Sequence, residues 1–318
     1  MKLGKKFKPY FKILLTLSLL LIFVYFSDPL KVLEELKNVN LAVYSVGVIV
    51  FLFIYPVAGF RWQTMTENIV NLKFSESIKV LGMSYGLNKI LPLNSGDIAR
   101  SKLMENYVKI DNHGQVLGTV ALERLADISV VALFLTLISL IQLPVFSRQL
   151  SWMLIPLGIS ILLFTTLVLL GNRVKELLDF STNRFLPEKI SDFLREAIDG
   201  FNNLNKNQYM VVIILTTLRW SINILAFYIV ALSSGNSISL ATAAILTGIM
   251  TLVSSLPITP AGAGAVELSA TGLLAFLGYS NSAAATIVIL QRSLGVAVMA
   301  LVGIVLLNLE DISLENFR

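Results

Sequence analysis

Long apolar runs and short polar breaks alternate along this chain, and their lengths predict its elements. After five lysines between Met1 and Lys12, an apolar run covers Ile13 to Phe26. It has the charge and grease of a secretory signal, but Ser27-Asp28-Pro29 follows instead of a small-residue cleavage site, so the run reads as a retained first span. Asp28 to Asn40 reads as a short external connector. Leu41 to Phe60 holds no charge and is long enough to cross a bilayer, with Arg61-Trp62 marking its interface. Val116 to Leu143, Ser151 to Asn172, Tyr209 to Leu232 and Ser282 to Leu307 are further spans. Arg173 to Gln208 is polar, but Ile190, Phe193, Leu194, Ala197, Ile198, Phe201 and Leu204 keep helical spacing, as in an amphipathic helix on the membrane surface.

Two segments break the alternation. Phe74 to Leu91 is a poor span that stops at Leu91-Pro92-Leu93-Asn94-Ser95-Gly96. Ile238 to Gly278 is interrupted by Leu256-Pro257-Ile258-Thr259-Pro260-Ala261-Gly262-Ala263-Gly264. Proline removes a backbone donor and glycine frees the backbone, so neither stretch continues a helix. Irregular backbone at membrane depth survives only inside protein or beside a wet cavity. Both segments therefore read as re-entrant helical hairpins. The predicted fold is an all-α integral membrane protein of about six full transmembrane helices plus two such hairpins.

Composition agrees. The 318 residues are 55% hydrophobic and 14% charged, and the mean hydropathy is +0.77, outside the range of soluble domains. No polar insert is long enough to build a catalytic domain of its own. The absence of cysteine excludes disulfides, thiol nucleophiles and thiolate metal sites. The one histidine, His113, lies in a polar stretch, so no metal site or cofactor is expected. Gly262-Ala263-Gly264 lacks the third glycine and the preceding strand of a dinucleotide fingerprint.

The net charge of +5 matters less than its distribution. With both termini in the cytoplasm, nineteen lysines and arginines fall on the inner side and three on the outer, and three arginines lie within spans. The two hairpins then enter from opposite faces. Each precedes a span with an arginine inside it: Pro92 lies 32 residues before Arg124, and Pro257 lies 35 before Arg292. Glu123-Arg124 answers Gln291-Arg292. This is the pattern of an inverted internal repeat, with a site at the repeat interface near the bilayer midplane. The whole chain reads as a single polytopic domain. Its half-repeats run approximately over 41–143 and 209–308, linked by the span 151–172 and the segment 173–208.

The charges inside the spans supply the candidate chemistry. An arginine at bilayer depth costs about 2.5–3.5 kcal/mol even on the lenient insertion scale, so it needs a partner or water. Arg124 lies three residues before Asp127, the spacing of a helical ion pair, and Glu123 shares a face with Asp127. This trio is either a self-contained packing cluster or part of a site. From Asn207 to Leu309 the only charges are Arg219, Glu267 and Arg292, which have to find one another across helices. Two cations against one carboxylate suit an anion such as a phosphate, and glycine-rich tips offer backbone N–H groups to the same ligand.

The ordered motifs Gly96-Asp97-x-x-Arg100, Glu123-Arg124-x-x-Asp127, Pro260-Ala-Gly262-x-Gly264-x-x-Glu267 and Gln291-Arg292 resemble the lysylphosphatidylglycerol synthase transmembrane family, whose members are flippase-like. The resemblance covers nearly the whole chain. It departs where the family often has Gly-Glu, here Gly96-Asp97, and Pro-Gly-Gly, here Pro260-Ala261-Gly262. It implies movement of a lipid between leaflets without the lysyl transfer carried out by a separate soluble domain in fused members.

The expected function is therefore translocation or binding of an anionic phospholipid or a polyprenyl-phosphate-linked lipid. Arg124, Arg219 and Arg292 would hold the phosphate; Glu123, Asp127 and Glu267 would position them or take a coupling proton. Asp97, Arg100, Gly262 and Gly264 complete the candidate site. A membrane enzyme, or the membrane subunit of a lipid- or glycan-modifying enzyme, is the alternative. The expected partners are membrane lipids with anionic head groups and a separately encoded modifying enzyme, not nucleic acid.

Overall fold

The computed structural model describes residues 3–91, 95–110, 113–141, 195–196, 199–200, 203–255, 259 and 262–313. The expected span 151–172 lies outside these residues. So do the hairpin turns at 92–94, 256–258 and 260–261, and most of the expected amphipathic segment 173–208.

The described chain is an all-α membrane protein. In order it forms α1 (Leu3–Phe26), α2 (Pro29–Lys37), α3 (Leu41–Leu52), α4 (Ile54–Thr66), α5 (Phe74–Ile90), α6 (Ser95–Met104) and α7 (His113–Ile141). It continues as α8 (Lys206–Leu232), α9 (Leu240–Ser255), α10 (Ala265–Phe276) and α11 (Asn281–Arg292), then a π-helical turn (Ser293–Val298) and α12 (Met299–Leu309). Leu41–Thr66, Lys206–Leu232 and Asn281–Leu309 are each long and apolar enough to cross a bilayer. The pair Leu14–Phe26 and Pro29–Lys37 forms a further span only if its two helices, bent by 77°, are counted together. The 29-residue α7 matches these in length but carries Glu123, Arg124 and Asp127. The hairpin arms are shorter. At 1.5 Å per residue, the 16 residues of α9 reach about 24 Å and the 12 of α10 about 18 Å, short of a ~30 Å core.

The connector Asp28 to Asn40 holds the helix α2, whose Val32 is buried with Phe23 and Ala285. One expectation about the first third of the chain is corrected. The second span does not stop at Phe60: after a break at Phe53 it runs on as α4 to Thr66. Arg61 is therefore inside a helix and 1% exposed, not an interfacial anchor. Arg100 is also fully buried. Taking these two out of the nineteen inner-side charges leaves seventeen against three, so the bias that sets the expected orientation survives.

Helix starts follow local chemistry. The Asn40 side chain accepts from the amides of Ala42 (3.1 Å) and Val43 (3.2 Å) to open α3, and Ser280 accepts from the Ala283 amide to open α11. At the second hairpin, Gly262 and Gly264 have φ of +70° and +82°. A Cβ on Gly264 would lie 2.6 Å from the Leu19 Cβ, and one on Gly262 would lie 2.6 Å from a Val266 methyl. Only glycine fits either position.

The chain divides into two compact units. The first takes Met1–Phe53, Gly86–Ser95 and Ile222–Ile304; the second takes Ile54–Tyr85, Gly96–Ser221 and Val305–Arg318. In the first unit α10 packs on α1, α9 and α11, and α2 packs on α11. There α5 meets the last span backbone to backbone, since a Cβ on Gly86 would lie 2.4 Å from the Gly303 Cα. Small residues allow such an approach between membrane helices. Gly86→Val is therefore expected to destabilise by about 1–3 kcal/mol through overpacking. The check is a lower melting temperature in detergent, against an unchanged one for Gly272→Ala, where a Cβ meets open space. In the second unit Lys79 on α5, Tyr107 and Glu310 form a polar knot. Glu310 accepts from Tyr107 Oη at 2.6 Å and pairs with Lys79 Nζ at 2.7 Å.

Candidate functional site

The second unit is built around an ion cluster to which α4, α5, α6, α7 and α8 each contribute. At its centre Arg61 spreads its guanidinium between two carboxylates. Nη2 donates to Glu123 Oε1 at 2.7 Å, and Nη1 donates to Asp127 Oδ1 at 2.7 Å and to Thr216 Oγ1 at 3.0 Å. The fork of arginine suits this double contact, which a lysine cannot reproduce. Glu123 and Asp127 are four apart on α7 and share one face, so one guanidinium reaches both.

Arg100 approaches from α6. It donates through Nη1 to Glu123 Oε2, through Nη2 to Asp97 Oδ1 at 3.0 Å and through Nε to Ser84 Oγ at 3.2 Å. Its guanidinium lies over the Trp62 ring, 4.5 Å from the centroid. Tyr85 Oη donates to Glu123 Oε1 at 3.0 Å. Arg124 turns towards α6 and donates through Nε to Asp97 Oδ2 at 2.9 Å. The expected pairing of Arg124 with Asp127 is thus corrected. Asp127 is taken by Arg61, by Trp220 Nε1 at 3.1 Å and by Arg219 Nη1 at 3.4 Å.

Two features set this cluster apart from a balanced packing device. Among the described residues four guanidinium groups (Arg61, Arg100, Arg124 and Arg219) face three carboxylates (Asp97, Glu123 and Asp127), one positive charge in excess. Three buried donors of the same unit, Arg219 Nε, Trp62 Nε1 and Tyr55 Oη, hold no hydrogen bond. Arg219 is held mainly by aromatic faces, with Trp220 and Tyr85 centroids 5.1 and 5.7 Å from its Cζ. Unpaired buried donors are costly, and an acceptor oxygen, of water or of a ligand, satisfies them. The guanidinium groups are unequally placed: the Arg124 side chain is 42% exposed, whereas those of Arg61, Arg100 and Arg219 are 1%, 0% and 8% exposed.

The first unit carries a simpler pair. Arg292 Nε donates to Glu267 Oε1 at 2.7 Å, while Glu267 Oε2 accepts from the Gly264 amide at 2.7 Å and so caps α10. The Gly262 amide donates to the Thr259 carbonyl at 3.1 Å. Both glycine amides expected to be open to a ligand are therefore used within the chain, because the tip closes its own helix start. Glu267 also does not serve Arg219, whose carboxylate is Asp127. Directly after Arg292 the helix widens into the π-turn, where the hydroxyls of Ser293 and Tyr44 meet at 2.6 Å. Such turns recur at functional sites.

The two pairs occupy matching positions. Asp97 is the third residue of α6 and Glu267 the third of α10; Arg124 is the twelfth of α7 and Arg292 the twelfth of α11. In both, the arginine binds the carboxylate through Nε. Their surroundings differ, which gives a measurable asymmetry. Removing a buried partner strands the opposite charge at a cost of about 3–5 kcal/mol. Glu267→Ala also removes the cap from α10, so it is expected to lose most of its folded yield in detergent. Asp97→Ala leaves Arg124, 42% exposed at the protein surface, and Arg100 still bound to Glu123, and it is expected to cost less than half as much in melting temperature.

Of the residues singled out in sequence, the structure brings Asp97, Arg100, Glu123, Arg124, Asp127 and Arg219 together in one unit, and Gly264, Glu267 and Arg292 together in the other. Sequence reasoning missed Arg61, Trp62, Ser84, Tyr85, Thr216 and Trp220. One signal pointed to Arg61: Glu123 and Asp127 outnumber Arg124 and require another cation.

Comparison with known proteins places the chain. The signature of the family described as "Lysylphosphatidylglycerol synthase TM region" matches residues 11–303, and the chain belongs to that family. It is similar to a UPF0104 membrane protein of Pyrococcus horikoshii, with 21% identity over 93% of this chain and 95% of that one. It is also similar to one of Methanocaldococcus jannaschii, with 23% identity over 69% and 92%. A third, from Methanothermobacter thermautotrophicus, is 21% identical over 90% and 88%. The protein is a multi-pass membrane protein.

Proposed function

We propose that this protein binds the phosphate of an anionic membrane lipid at the arginine cluster of the second unit and moves that lipid between leaflets of the cell membrane. The carrying observation is the cluster itself, with four arginines against three carboxylates and Arg219 Nε unpaired within it. A phosphate offers several acceptor oxygens and negative charge, which answer both the surplus and the unpaired donors. A phospholipid and a polyprenyl-phosphate-linked lipid both carry that group. Arg124 is the first contact and Arg219 the deeper one, while Arg61 and Arg100 hold the carboxylates that shape the site.

The matched pairs Asp97–Arg124 and Glu267–Arg292 support an internal repeat, as in transporters that rock one repeat against the other. The charge bias supports cytoplasmic termini and opposite entry of the two hairpins. The protein is read as a carrier and not an enzyme, because its buried carboxylates are already committed. Both oxygens of Glu123 and of Asp97 are engaged, and Oδ1 of Asp127 serves three donors. A general acid or base needs a free position facing substrate.

The test is reconstitution in liposomes with fluorescent phospholipids in both leaflets and an impermeant quencher outside. Translocation makes nearly all of the label quenchable, whereas protein-free vesicles stop at about half. Quenching at the protein-free level for every anionic lipid tried, with the protein shown to be folded and inserted, overturns the reading.

A further inference from the structure

The second unit also carries a cavity that the arginine cluster does not use. Its volume is about 630 Å³, within the range of small-ligand sites. Along α4 it is lined by Phe60, Gln63 and Thr64, with Glu67 just beyond the helix end. These positions are spaced i, i+3, i+4 and i+7 and share one face, while Arg61 leaves α4 on an adjoining face. Facing them are Asn205, Asn207, Gln208 and Val211 at the start of α8; Asn68 and Asn71 also line it. Among the described residues no lysine or arginine lines the cavity, so its described walls do not suit a phosphate.

Six carboxamides and one carboxylate over an apolar floor of Phe60, Val70, Leu72 and Val211 suit a different group. A carboxamide donates and accepts at once, as a hydroxyl does, so such a wall matches a ring of hydroxyls. The wall is also fixed in place. Gln208 Oε1 accepts from the Asn205 amide at 2.9 Å and from Asn68 Nδ2 at 3.1 Å, and its Nε2 donates to Glu67 Oε2 at 3.1 Å. Gln63 Nε2 donates to the Leu72 carbonyl at 2.9 Å. That leaves Gln63 Oε1, Asn68 Oδ1, Glu67 Oε1 and the exposed heads of Asn71 and Asn207 to meet a ligand.

We infer that this cavity holds the polyhydroxylated part, a sugar or polyol ring, of the lipid whose phosphate the arginine cluster binds. The inference rests on the proposed lipid-phosphate reading for the link between the two sites, not for the chemistry of the cavity. The sites share α4 and α8. On α8, Gln208 lies eleven residues before Arg219, the deeper phosphate contact, which is about 16 Å at helical rise. One head group and the side chains that hold it cover that distance.

The experiment measures binding of short-chain lipids to the purified protein in detergent. The probes are dihexanoyl phosphatidylinositol, dihexanoyl phosphatidate (phosphate without polyol), a glucosyl diacylglycerol (polyol without phosphate) and free inositol. Phosphatidylinositol is expected to bind about tenfold tighter than phosphatidate, the size of one or two net hydrogen bonds. In the N71L/N207L variant, which alters only exposed side chains, that advantage is expected to vanish while phosphatidate binding stays unchanged. Glucosyl diacylglycerol binding that the same variant removes supports the cavity even if no phosphate lipid binds, so the two readings fail separately. Three results overturn the inference: phosphatidylinositol and phosphatidate binding equally well, a polyol preference that survives the variant, or neither phosphatidylinositol nor glucosyl diacylglycerol binding at all.

Discussion

Arg61→Met is expected to yield almost no monodisperse protein after detergent extraction. The methionine fills much of the same volume, so the effect is electrostatic. Arg61 is 1% exposed and is the shared partner of Glu123 and Asp127. Without it Glu123 keeps Arg100 and Tyr85, but among the described residues Asp127 keeps only Trp220 and the long 3.4 Å contact to Arg219. Breaking a buried pair costs about 3–5 kcal/mol, a large share of the stability of most folds. Arg61→Lys retains the charge but cannot span two carboxylates, and is expected to give an intermediate yield. Adding Asp127→Asn to Arg61→Met removes the stranded charge and is expected to restore part of the folded material. The measurement is the monodisperse fraction by size-exclusion chromatography with its melting temperature. Wild-type yield from Arg61→Met alone would show that the cluster does not hold this unit together.

Arg124→Met is expected to do the reverse, leaving a folded protein that has lost function. The Arg124 side chain is 42% exposed, and its partner Asp97 keeps Arg100 at 3.0 Å when it is removed. The stability change is therefore expected to be smaller than that of Arg61→Met, because Asp97 is not left without a cation. Loss of one charge-assisted contact to a phosphate is worth roughly 1.5–3 kcal/mol, so the rate of lipid movement in liposomes is expected to fall about 10- to 100-fold. Arg219→Met is expected to lower the rate as well, with a larger penalty in yield because its neighbours are buried. Arg124→Lys is expected to retain partial activity, since the charge remains and the fork is lost. Unchanged transport by Arg124→Met would remove this residue from the site and shift the phosphate contact to the deeper arginines. Together the Arg61 and Arg124 variants separate arginines that hold the fold from those offered to the ligand.

The charge pattern led part of the way to this division. The scarcity of charge within the spans made Arg124, Arg219, Glu267 and Arg292 conspicuous, because each carries a solvation cost that needs a reason. Arg61 was not conspicuous. It follows the uncharged run Leu41 to Phe60 at the length where a span is expected to end, and basic residues ordinarily collect there. Its burial depends on α4 continuing past Phe60, which no local signal announces. The pairing of Arg124 was misjudged for a related reason. Three-residue spacing makes contact with Asp127 available, but Arg61, Arg219 and Trp220 from two other helices fill that carboxylate first.

What the sequence determined by itself is whatever depends on short-range chemistry and on the bilayer as solvent. Apolar runs of spanning length set the all-α membrane class, because a backbone in hydrocarbon has to satisfy its own hydrogen bonds. Proline and glycine mark where α5 and α9 end, and the spacing of Arg124 and Arg292 matches that of the two pairs Asp97–Arg124 and Glu267–Arg292. The tertiary structure alone decided which charges share a partner. It placed Arg219 with Asp127 and left Glu267 to Arg292, and it spent the Gly262 and Gly264 amides on closing their own turn. It also gathered Arg61, Arg100 and Tyr85 from three helices around Glu123. Ion pairing in a low-dielectric interior depends on distances of a few ångströms between segments far apart in the chain, and helical periodicity carries no record of those distances.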